Sequence, residues 1–298
     1  MVPTGVCSNA MTETVLVTAA AGTTGSALVR QLSDHDVTVR AAVHSRDSAG
    51  DVTDAADDVV EIDMTDPGTL PPAFDGVDRA YLLTPLLPDQ VPVVENLVDA
   101  AVAADVAHIV RHSVIGTGVA DPPHSLAANH SAAEKVVAEA GVASTFIRPT
   151  AYMQNLLNDA ESVREQGAIY NPLGEPVAYV DVRDVAAVAT TVLTSEGHAG
   201  ETYPVTGPEA LTYAEIASAL SNELGREVEH IQVGMDDARE SMLDIGVPEP
   251  LVDMSIGLLE WFGEGNGAEV HSTVEDLTGR PSRSIETFVE DYAEEFEG

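Results

Sequence analysis

The sequence predicts an α/β fold: a doubly wound, parallel-sheet Rossmann domain followed by a smaller α-rich C-terminal domain. Three observations support this prediction. Runs rich in β-branched residues alternate with helix-patterned segments between residues 14 and 147, a glycine-containing turn joins the first strand to the first helix, and the alternation loosens after Pro149. Such alternation is typical of parallel sheets with helices on both faces. A hydrophobic content of 44% is sufficient for a large core.

Each element of the N-terminal half has its own local signature. The run T-V-L-V-T from Thr14 has the pattern of a buried strand. Apolar residues recur at helical spacing from Val94 to Ala101, and Gly141 stands where a helix C-cap is expected. The predicted strands span residues 14–18, 37–43, 59–62, 79–83, 108–112 and 143–147, and the predicted helices span residues 23–32, 91–104 and 125–140.

The C-terminal half has a weaker pattern. Tyr179 and Val180 form a predicted short strand. Asp181 is expected to cap a helix that runs to Leu193, with Asp184 in a capping-box position. Further short strands are predicted near residues 203 and 228. We therefore expect a Rossmann domain of residues 11–155, with residues 178–195 returning to it, and a smaller substrate or partner domain of residues 156–177 and 196–298.

The chain is strongly acidic, with 50 Asp and Glu against 13 Lys and Arg and a formal net charge of −37; Lys135 is the only lysine. Self-repulsion of this size destabilises a compact state in dilute salt, whereas molar salt shortens the Debye length to about 3 Å. We interpret the composition as adaptation to a salt-rich cytoplasm; an ordinary acidic protein is the alternative. The same charge argues against direct binding of nucleic acid, which needs Lys and Arg at the phosphates.

Single features of the sequence argue against several other classes of protein. Cys7 is the only cysteine, which excludes a disulfide framework, Cys-ligated zinc and an iron–sulfur cluster within one chain. No apolar run reaches the roughly 18 residues that a membrane span needs. Residues 1–10 lack the features of a signal peptide and are predicted to be a disordered extension before a start at Met11. We therefore expect a cytoplasmic protein without a membrane partner.

Metal and hydrolase chemistry are not predicted either. The chain has no H-E-x-x-H spacing and no G-x-S-x-G elbow. His108 and His112 fall on one side of the fifth strand, where buried histidines are usually hydrogen-bonded core residues. Arg148, which precedes Pro149, is expected to brace a strand end rather than to contact substrate.

The strongest local motif is the turn between the first strand and the first helix, within Val17–Val29. A helix N-terminus presents free N–H groups and a partial positive charge to a pyrophosphate. A glycine at position 22 lets the backbone approach the phosphates, and one at position 25 permits tight packing of helix on strand. Ala19 replaces the expected first glycine, at a cost if that position needs a positive φ; the alternative is a turn with no ligand. The predicted phosphate-side contacts are Ala19, Gly22, Thr23, Thr24 and Gly25.

The end of the second strand favours NADP(H) over NAD(H). Proteins that bind NAD usually place an acid there to hold the ribose 2′-hydroxyl. Here His44 and Arg46 occupy that place, and Arg46 could grip a 2′-phosphate unless it only pairs with Asp47. Asp63 is positioned to contact the adenine amino group with Met64 beside the ring; the alternative is that Asp63 is one more acid in an acid-rich loop.

Several segments together carry a family resemblance. They are the turn described above, L-T-P from Leu83, I-V-R-H-S-V-I-G from Ile109, N-H-S-A-A-E-K from Asn129, F-I-R-P-T-A-Y-M-Q-N from Phe146, Y-V-D-V-R-D-V-A from Tyr179 and E-D-L-T-G-R-P from Glu275. As a set they resemble NmrA-like, atypical short-chain dehydrogenase/reductases, close to the NAD(P)H:quinone oxidoreductase type. The resemblance covers nearly the whole chain from residue 11. It implies that Thr84 and Ser113 line the nicotinamide side and that Tyr152 and Asn155 lie at the substrate cleft.

The wider superfamily uses a Tyr-x-x-x-Lys pair, and this chain lacks it. The residue four positions before Lys135 is Ser131, whose hydroxyl cannot replace a phenol. Alignment on the helix places His130 at the tyrosine position and Glu134 at the lysine position. A histidine with a pKa near 6.5 could deliver a proton; alternatively, His130 only hydrogen-bonds the cofactor or the cleft, or lies exposed. His130 and Ser113 are the candidate catalytic residues.

These features favour an NADPH-dependent reductase that transfers a hydride to a small electrophile such as a quinone. Such a step depends on orientation and a dry cavity more than on a strong acid. A non-catalytic NADP(H) sensor that acts through a protein partner remains the alternative, as the resemblance also permits. A sugar-nucleotide epimerase or dehydratase is less favoured, because those reactions need the missing Tyr-x-x-x-Lys base. The oligomeric state is left open.

Overall fold

The fold is given by a computed structural model, which describes residues 12–297. The predicted extension at residues 1–10 lies outside the described residues. The strands are β1 Glu13–Val17, β2 Val37–Val43, β3 Asp58–Glu61, β4 Arg79–Leu82, β5 His108–His112, β6 Ala143–Pro149, β7 Ala168–Asn171, β8 Thr202–Val205 and β9 Glu229–Gln232. The longer helices are α1 Thr23–Leu32, α4 Val91–Ala103, α5 Ser125–Glu139, α7 Val182–Thr194, α8 Tyr213–Leu224, α9 Met235–Asp244 and α10 Glu249–Gly263. The shorter ones are α2 Val52–Ala55, α3 Pro71–Phe74, α6 Ala160–Gln166, α11 Thr273–Thr278, α12 Ile285–Asp291 and α13 Ala293–Glu297.

A parallel sheet of seven strands forms the centre of the molecule, in the order β3-β2-β1-β4-β5-β6-β8. The strand order reverses between β1 and β4, and in open α/β sheets ligands bind beyond the carboxyl ends of the strands at such a switch point. This arrangement confirms the predicted doubly wound fold. It also places the turn after β1 and the segments after β4 and β5 at one edge of the sheet.

Each face of the sheet carries its own apolar core. On one face, α1 and α7 pack together, and their buried residues include Leu28 and Val185. On the other face, α3, α4 and α5 bury Phe74, Leu97 and Val137 against the strands. Both faces are covered, which explains why the central strands are nearly continuous runs of apolar residues.

The C-terminal half adds a third core beyond the carboxyl edge of the sheet. Helices α6, α8, α10 and α12 contribute buried residues that include Val163, Ile216, Phe262 and Phe288. Strands β7 and β9 form a separate parallel pair at its border. Helix α10 also contacts α5 of the main sheet region, so the two halves enclose the space between them. No helix within the described residues is both long and apolar enough to cross a membrane.

Two expectations for the C-terminal half are wrong. Tyr179 and Val180 do not form a strand; Val180 makes only an isolated bridge to Tyr152, because the chain turns at once into the cap of α7. The strand predicted near Tyr203 forms as β8, but it extends the main sheet beside β6 and does not belong to a separate domain. The division at residue 196 therefore does not follow the sheet. Strand β7 was not predicted.

At the start of α7, the predicted Asp181 cap is confirmed and the predicted capping-box position of Asp184 is wrong. The side chain of Asp181 accepts a hydrogen bond from the Arg183 N–H at 2.8 Å, as predicted. Asp184 does not complete a capping box. Its buried carboxylate accepts a 2.6 Å hydrogen bond from the Arg283 N–H and pairs with the Arg283 guanidinium, which ties the C-terminal segment to α7.

Candidate cofactor and substrate site

The turn after β1 is strained at the position where a glycine was expected. Ala19 has a φ of +47°, in the left-handed region that costs an L-residue roughly 1–2 kcal/mol. The turn is closed by a 3.0 Å hydrogen bond from the Gly22 N–H to the Ala19 carbonyl. The predicted cost of alanine at this position is therefore real, and the fold tolerates it.

The two glycines of the turn have different tasks. A Cβ on Gly25 would lie 2.5 Å from the Ala19 carbonyl oxygen and 2.8 Å from the Ala20 Cα, so α1 can approach β1 only with glycine here. A Cβ on Gly22 would meet only the Ala19 oxygen, at 3.4 Å, and the φ of Gly22 is an ordinary −75°. Gly22 is therefore not needed for packing. It leaves the N-terminus of α1 open, where no side chain caps the helix and no acid occupies the first turn.

Three connected cavities run across this edge of the sheet, and together we call them the cleft. The first has a volume of 270 Å³ and includes Ala19, His44, Asp63 and Met64 in its lining. The second, of 610 Å³, follows the turn and shares Ala19 and His44 with the first. The third, of 640 Å³, lies between the sheet and the C-terminal half. The second and third cavities share Thr24, Leu83, Thr84, Pro85, Leu86, Tyr152, Asn155 and Asn158.

Most of the predicted site residues therefore lie along one cleft. Gly22, Thr23 and Thr24 line the second cavity, and Ser113 and His130 line the third. Gly25 does not line the cleft but lets the turn close behind it. Asp63 keeps a lowered pKa, mainly because its carboxylate accepts hydrogen bonds from the Thr65 hydroxyl at 2.6 Å and the Thr65 N–H at 2.8 Å.

Arg46 is not where the sequence analysis expected it. Its guanidinium donates to the Val59 carbonyl on β3, and its N–H donates to the Glu61 carboxylate at 2.9 Å. It lines none of the three cavities and makes no ion pair with Asp47. In this arrangement His44 is the basic side chain at the place expected for a 2′-phosphate.

A buried guanidinium that the sequence analysis overlooked lies beneath the cleft. Arg111 is 1% exposed and donates to the Leu82 carbonyl at 2.7 Å, to the Thr84 hydroxyl at 3.2 Å and to the Gln90 side chain. Burial lowers its pKa to about 10, so it stays charged at neutral pH, and no carboxylate among the described residues pairs with it. An arginine within the apolar strand pattern H-I-V-R-H was the available signal, because an unpaired buried charge is costly.

A hydrogen-bonded chain of three rings reaches the cleft from the core. The Tyr81 hydroxyl lies 2.6 Å from His112 Nδ1, and the Tyr152 hydroxyl lies 2.7 Å from His112 Nε2. Burial lowers the pKa of His112 to about 3 and raises the pKa of Tyr152 well above its usual value. All three rings are therefore neutral near pH 7.

One tautomer of His112 directs the Tyr152 hydroxyl hydrogen into the cleft. In that tautomer the buried Tyr81 hydroxyl donates to Nδ1, and Nε2 carries the imidazole proton. Nε2–H then donates to the Tyr152 oxygen. The hydroxyl hydrogen of Tyr152 is left to point toward Thr24 and the cleft. His112 is thus a hydrogen-bonded histidine, as predicted, and so is His108, which lies 2.9 Å from the Thr145 hydroxyl.

The expectation that His130 delivers a proton from a pKa near 6.5 is not supported. Burial, with the nearby Arg111 charge, lowers the pKa of His130 to about 2, so the imidazole is neutral at physiological pH. Its Nδ1 is buried without a partner among residues 12–297, and so is the Ser113 hydroxyl. Two unsatisfied polar atoms in the wall of the third cavity fit a ligand that hydrogen-bonds there.

The remaining candidates on α5 are structural. Glu134 accepts hydrogen bonds from Arg148 Nε at 2.9 Å and Nη2 at 2.6 Å, and from the Thr117 hydroxyl at 3.0 Å. Arg148 therefore braces the end of β6, as expected, and Glu134 does not take the place of a catalytic lysine. Lys135 is exposed beside Glu139. The described residues contain no group of three or more His, Cys, Asp or Glu arranged to hold a metal ion.

The model of the NmrA-like family matches residues 11–294 of this chain. The chain belongs to the NmrA-like family. This NmrA-like protein is 38% identical over 283 residues to an NAD(P)H azoreductase of Xenophilus azovorans, with 95% of this chain and 99% of that protein covered. It is 35% identical over 285 residues to a (4-alkanoyl-5-oxo-2,5-dihydrofuran-3-yl)methyl phosphate reductase of Streptomyces griseus, with 95% and 99% covered.

A solved structure has the same architecture. The NADPH-dependent quinone oxidoreductase QOR2 of Escherichia coli, complexed with NADPH, matches with a TM-score of 0.81 and 25% identity, covering 94% of this NmrA-like chain and 99% of that one. The resemblance inferred from the sequence motifs is confirmed.

Proposed function

We propose that this NmrA-like protein is an NADPH-dependent reductase of a small electrophile. The observation that carries the proposal is the continuous cleft, which joins an open helix N-terminus to a cavity of 640 Å³ between the sheet and the C-terminal half. A ligand that spans both cavities brings its far end beside Tyr152 and Ser113. The relatives support the same reading, because they are named as an NAD(P)H azoreductase and an NADPH-dependent quinone oxidoreductase.

The residues along the cleft fit the parts of the dinucleotide in order. Asp63 and Met64 would hold the adenine, and the N–H groups at the start of α1 would hold the pyrophosphate across Gly22. The unsatisfied Ser113 hydroxyl and His130 Nδ1 would accept or donate hydrogen bonds at the nicotinamide end. When bound, NADPH supplies a hydride to the electrophile.

We infer a preference for NADP(H) over NAD(H) from the end of β2. His44, and not an acid, directly follows this strand at the place where a 2′-hydroxyl would be held, and it lines both the first and the second cavity. Arg46 can assist only if its guanidinium leaves the Val59 carbonyl. His44 is therefore the residue that we expect to set most of the preference.

Reduction also requires a proton at the acceptor atom, and Tyr152 is placed to provide it. His112 donates to the Tyr152 oxygen, which leaves the hydroxyl hydrogen directed at a ligand between Thr24 and Asn155. With a raised pKa, Tyr152 stays protonated at neutral pH and donates as a neutral phenol. Tyr152 thus takes the role that the sequence analysis gave to His130, and Tyr81 and His112 act as positioning residues.

The test is an assay of purified protein in molar KCl with NADPH and a panel of quinones and azo compounds, following the absorbance of reduced nicotinamide. We expect turnover with at least one compound of each class, faster with NADPH than with NADH. Calorimetric binding of NADPH without turnover across the panel would instead support the sensor. Absence of binding would overturn both functions.

We further propose that the protein works in a salt-rich cytoplasm, as its net charge of −37 suggests. Screening by molar salt removes most of the repulsion among exposed carboxylates. We therefore expect the melting temperature to rise steadily as KCl is increased from dilute to molar concentration. A melting temperature that is independent of KCl would contradict the proposal.

A further inference from the structure

The third cavity has an end that the reductase chemistry does not use. Asp159, Asn171 and Tyr213 line it, together with apolar side chains of α10 such as Met254 and Leu258. Among the described residues that line this cavity there is no Lys or Arg. Its histidines and tyrosines are neutral near pH 7, because burial lowers the histidine pKa values and raises those of the tyrosines. Asp159 is therefore the lining residue that carries charge.

Asp159 differs from the other buried acids of the protein. Those acids are satisfied by arginine, in the pairs Arg148–Glu134, Arg183–Asp181 and Arg283–Asp184. No described residue makes an ion pair with Asp159, and the hydrogen bond at this residue, from the Ser162 hydroxyl at 2.9 Å, goes to its backbone carbonyl. Asp159 lines the third cavity, and its side chain is only partly buried. The protein thus keeps a partly buried carboxylate without a partner in the wall of a cavity.

The positive charge of Arg111 lies toward the other end of the same cavity. Arg111 lies behind Thr84 and adds to the burial that lowers the pKa of His112 and His130. Asp159 adds to the burial that raises the pKa of Tyr179 and Tyr213. The two charges act on different neighbours. A bound molecule therefore experiences a positive potential near Tyr152 and a negative potential near Tyr213.

We propose that the electrophile of this reductase is a cationic aromatic compound, and that Asp159 binds its positively charged nitrogen. The proposal rests on the reductase function and specifies its substrate class. The acceptor atom then lies at the Tyr152 end, where the Arg111 field stabilises negative charge that develops during reduction. The cationic nitrogen lies against Asp159, with the Tyr213 ring and the Met254 side chain as apolar contacts. An anionic group in the same place would meet a like charge with no counterion.

The test compares three probes with one quinone core and a neutral, a trimethylammonium or a sulfonate substituent. We expect wild-type kcat/KM to be highest for the trimethylammonium probe, roughly tenfold or more above the sulfonate probe, which is the size of one charge-assisted contact. Asp159→Asn should bring the three kcat/KM values together. The control variant Glu161→Gln removes one negative charge from an exposed position nearby. It should keep the wild-type order of kcat/KM among the three probes.

The preference should also depend on pH in a defined direction. Burial raises the pKa of Asp159 to about 6, so the carboxylate is charged above that pH and protonated below it. The neighbouring titratable groups Tyr179 and Tyr213 stay protonated throughout. The advantage of the cationic probe should therefore be lost as the pH falls through about 6, and Asp159→Asn should show no such change.

The outcomes separate this proposal from the reductase function. If none of the three probes is reduced, the reductase function fails for this quinone core, and the charge preference is then measured by calorimetry with the non-reducible benzyltrimethylammonium ion. Tighter binding of that ion to the wild type than to Asp159→Asn supports the proposal. Equal kcat/KM values for cationic and sulfonated probes, or a preference that survives in Asp159→Asn, or equal binding by both proteins, overturns it.

Discussion

The two ends of the cleft are built in different ways. The phosphate end is made from one turn, Ala19–Gly25, in which small residues keep the backbone accessible. The electrophile end is assembled from side chains of β4, β5, α5 and the segment after β6, with charges at Arg111 and Asp159. The first end recognises a ligand through backbone geometry, and the second through hydrogen bonds and electric potential. Changes at the first end should therefore alter binding, and changes at the second should alter turnover.

The largest effect is expected at the phosphate end, from Gly25→Ala. The new Cβ would lie 2.5 Å from the Ala19 carbonyl oxygen, which forces α1 away from β1. We expect a loss of about 3 kcal/mol in the free energy of unfolding and little remaining NADPH binding. Denaturant unfolding and calorimetry measure the two quantities.

Gly22→Ala is the matched control for that change. Its Cβ would have a tolerable 3.4 Å contact, so the free energy of unfolding should change by less than about 1 kcal/mol. The added methyl group lies where the phosphates approach, so NADPH affinity should still fall roughly tenfold. Equal instability of the two variants would contradict the separate tasks assigned to the two glycines.

At the electrophile end, Tyr152→Phe should reduce kcat by roughly 100-fold, the usual contribution of a positioned proton donor. The dissociation constant of NADPH should hardly change. His130→Ala should reduce kcat much less, because burial lowers the pKa of His130 to about 2 and it carries no acidic proton at neutral pH. Steady-state kinetics with a neutral quinone give both values.

Tyr170→Phe controls for loss of a phenol, since Tyr170 is exposed and its hydroxyl only donates to Gln166 at 2.8 Å. Burial raises the pKa of Tyr152 above the ordinary tyrosine value of about 10. With Tyr152 as donor, kcat for a neutral quinone should therefore show no loss of the acid form below about pH 9. A different result would show that His130 is the acid after all. In that case kcat would fall as the pH rises through about 6.5, and His130→Ala would remove this pH dependence.

A smaller effect is expected on the preference between NADPH and NADH, at the place where the ribose 2′-phosphate would bind. His44→Ala should reduce the preference for NADPH over NADH about fivefold, or roughly 1 kcal/mol, as expected for one exposed charged contact. Arg46→Ala should change it less than twofold, because its guanidinium is held by the Val59 carbonyl. The ratio of kcat/KM for the two cofactors is the measurement. The reverse order of effects would show that Arg46 turns toward the ligand.

The smallest effect is expected from Ala19→Gly. Relief of the positive φ of +47° is offset in part by the greater freedom of glycine in the unfolded chain, so a gain of about 0.5–1 kcal/mol is expected. A thermal melt in molar KCl is sufficient to detect it. A loss of stability would mean that the Ala19 methyl group makes contacts that outweigh the strain.

The sequence was sufficient for the parts of the fold that depend on local patterns. Strand β5, helix α1 and the phosphate turn were located to the residue because periodicity and glycine placement act over a few positions. The position of β8 was missed, since its place beside β6 is decided by the sheet and not by the five residues near Tyr203. Tyr152 and Asn155, which the family motifs named, line the third cavity, whereas no motif indicated the hydrogen bond between Tyr81 and His112.

The pKa values and charge states of the site residues could not be predicted from local sequence patterns. The low pKa of His130, on α5, arises from burial and from the charge of Arg111, which lies on β5. The raised pKa of Asp159 arises from its burial in the wall of the third cavity. Neither environment leaves a sequence pattern beside the residue that it changes. The placement of Arg46 differs from the expectation for a related reason, because a carbonyl on β3 is a competing partner for its guanidinium.

The central claim is that a dinucleotide bound across the α1 turn delivers its hydride to an electrophile beside Tyr152. The most direct measurement is a single-turnover reaction in molar KCl with NADPH deuterated at the transferred position, mixed with enzyme and a quinone. We predict that the nicotinamide absorbance decays with a primary isotope effect and that the decay is much slower in Tyr152→Phe. NADPH that binds tightly but keeps its absorbance with every electrophile would contradict the account.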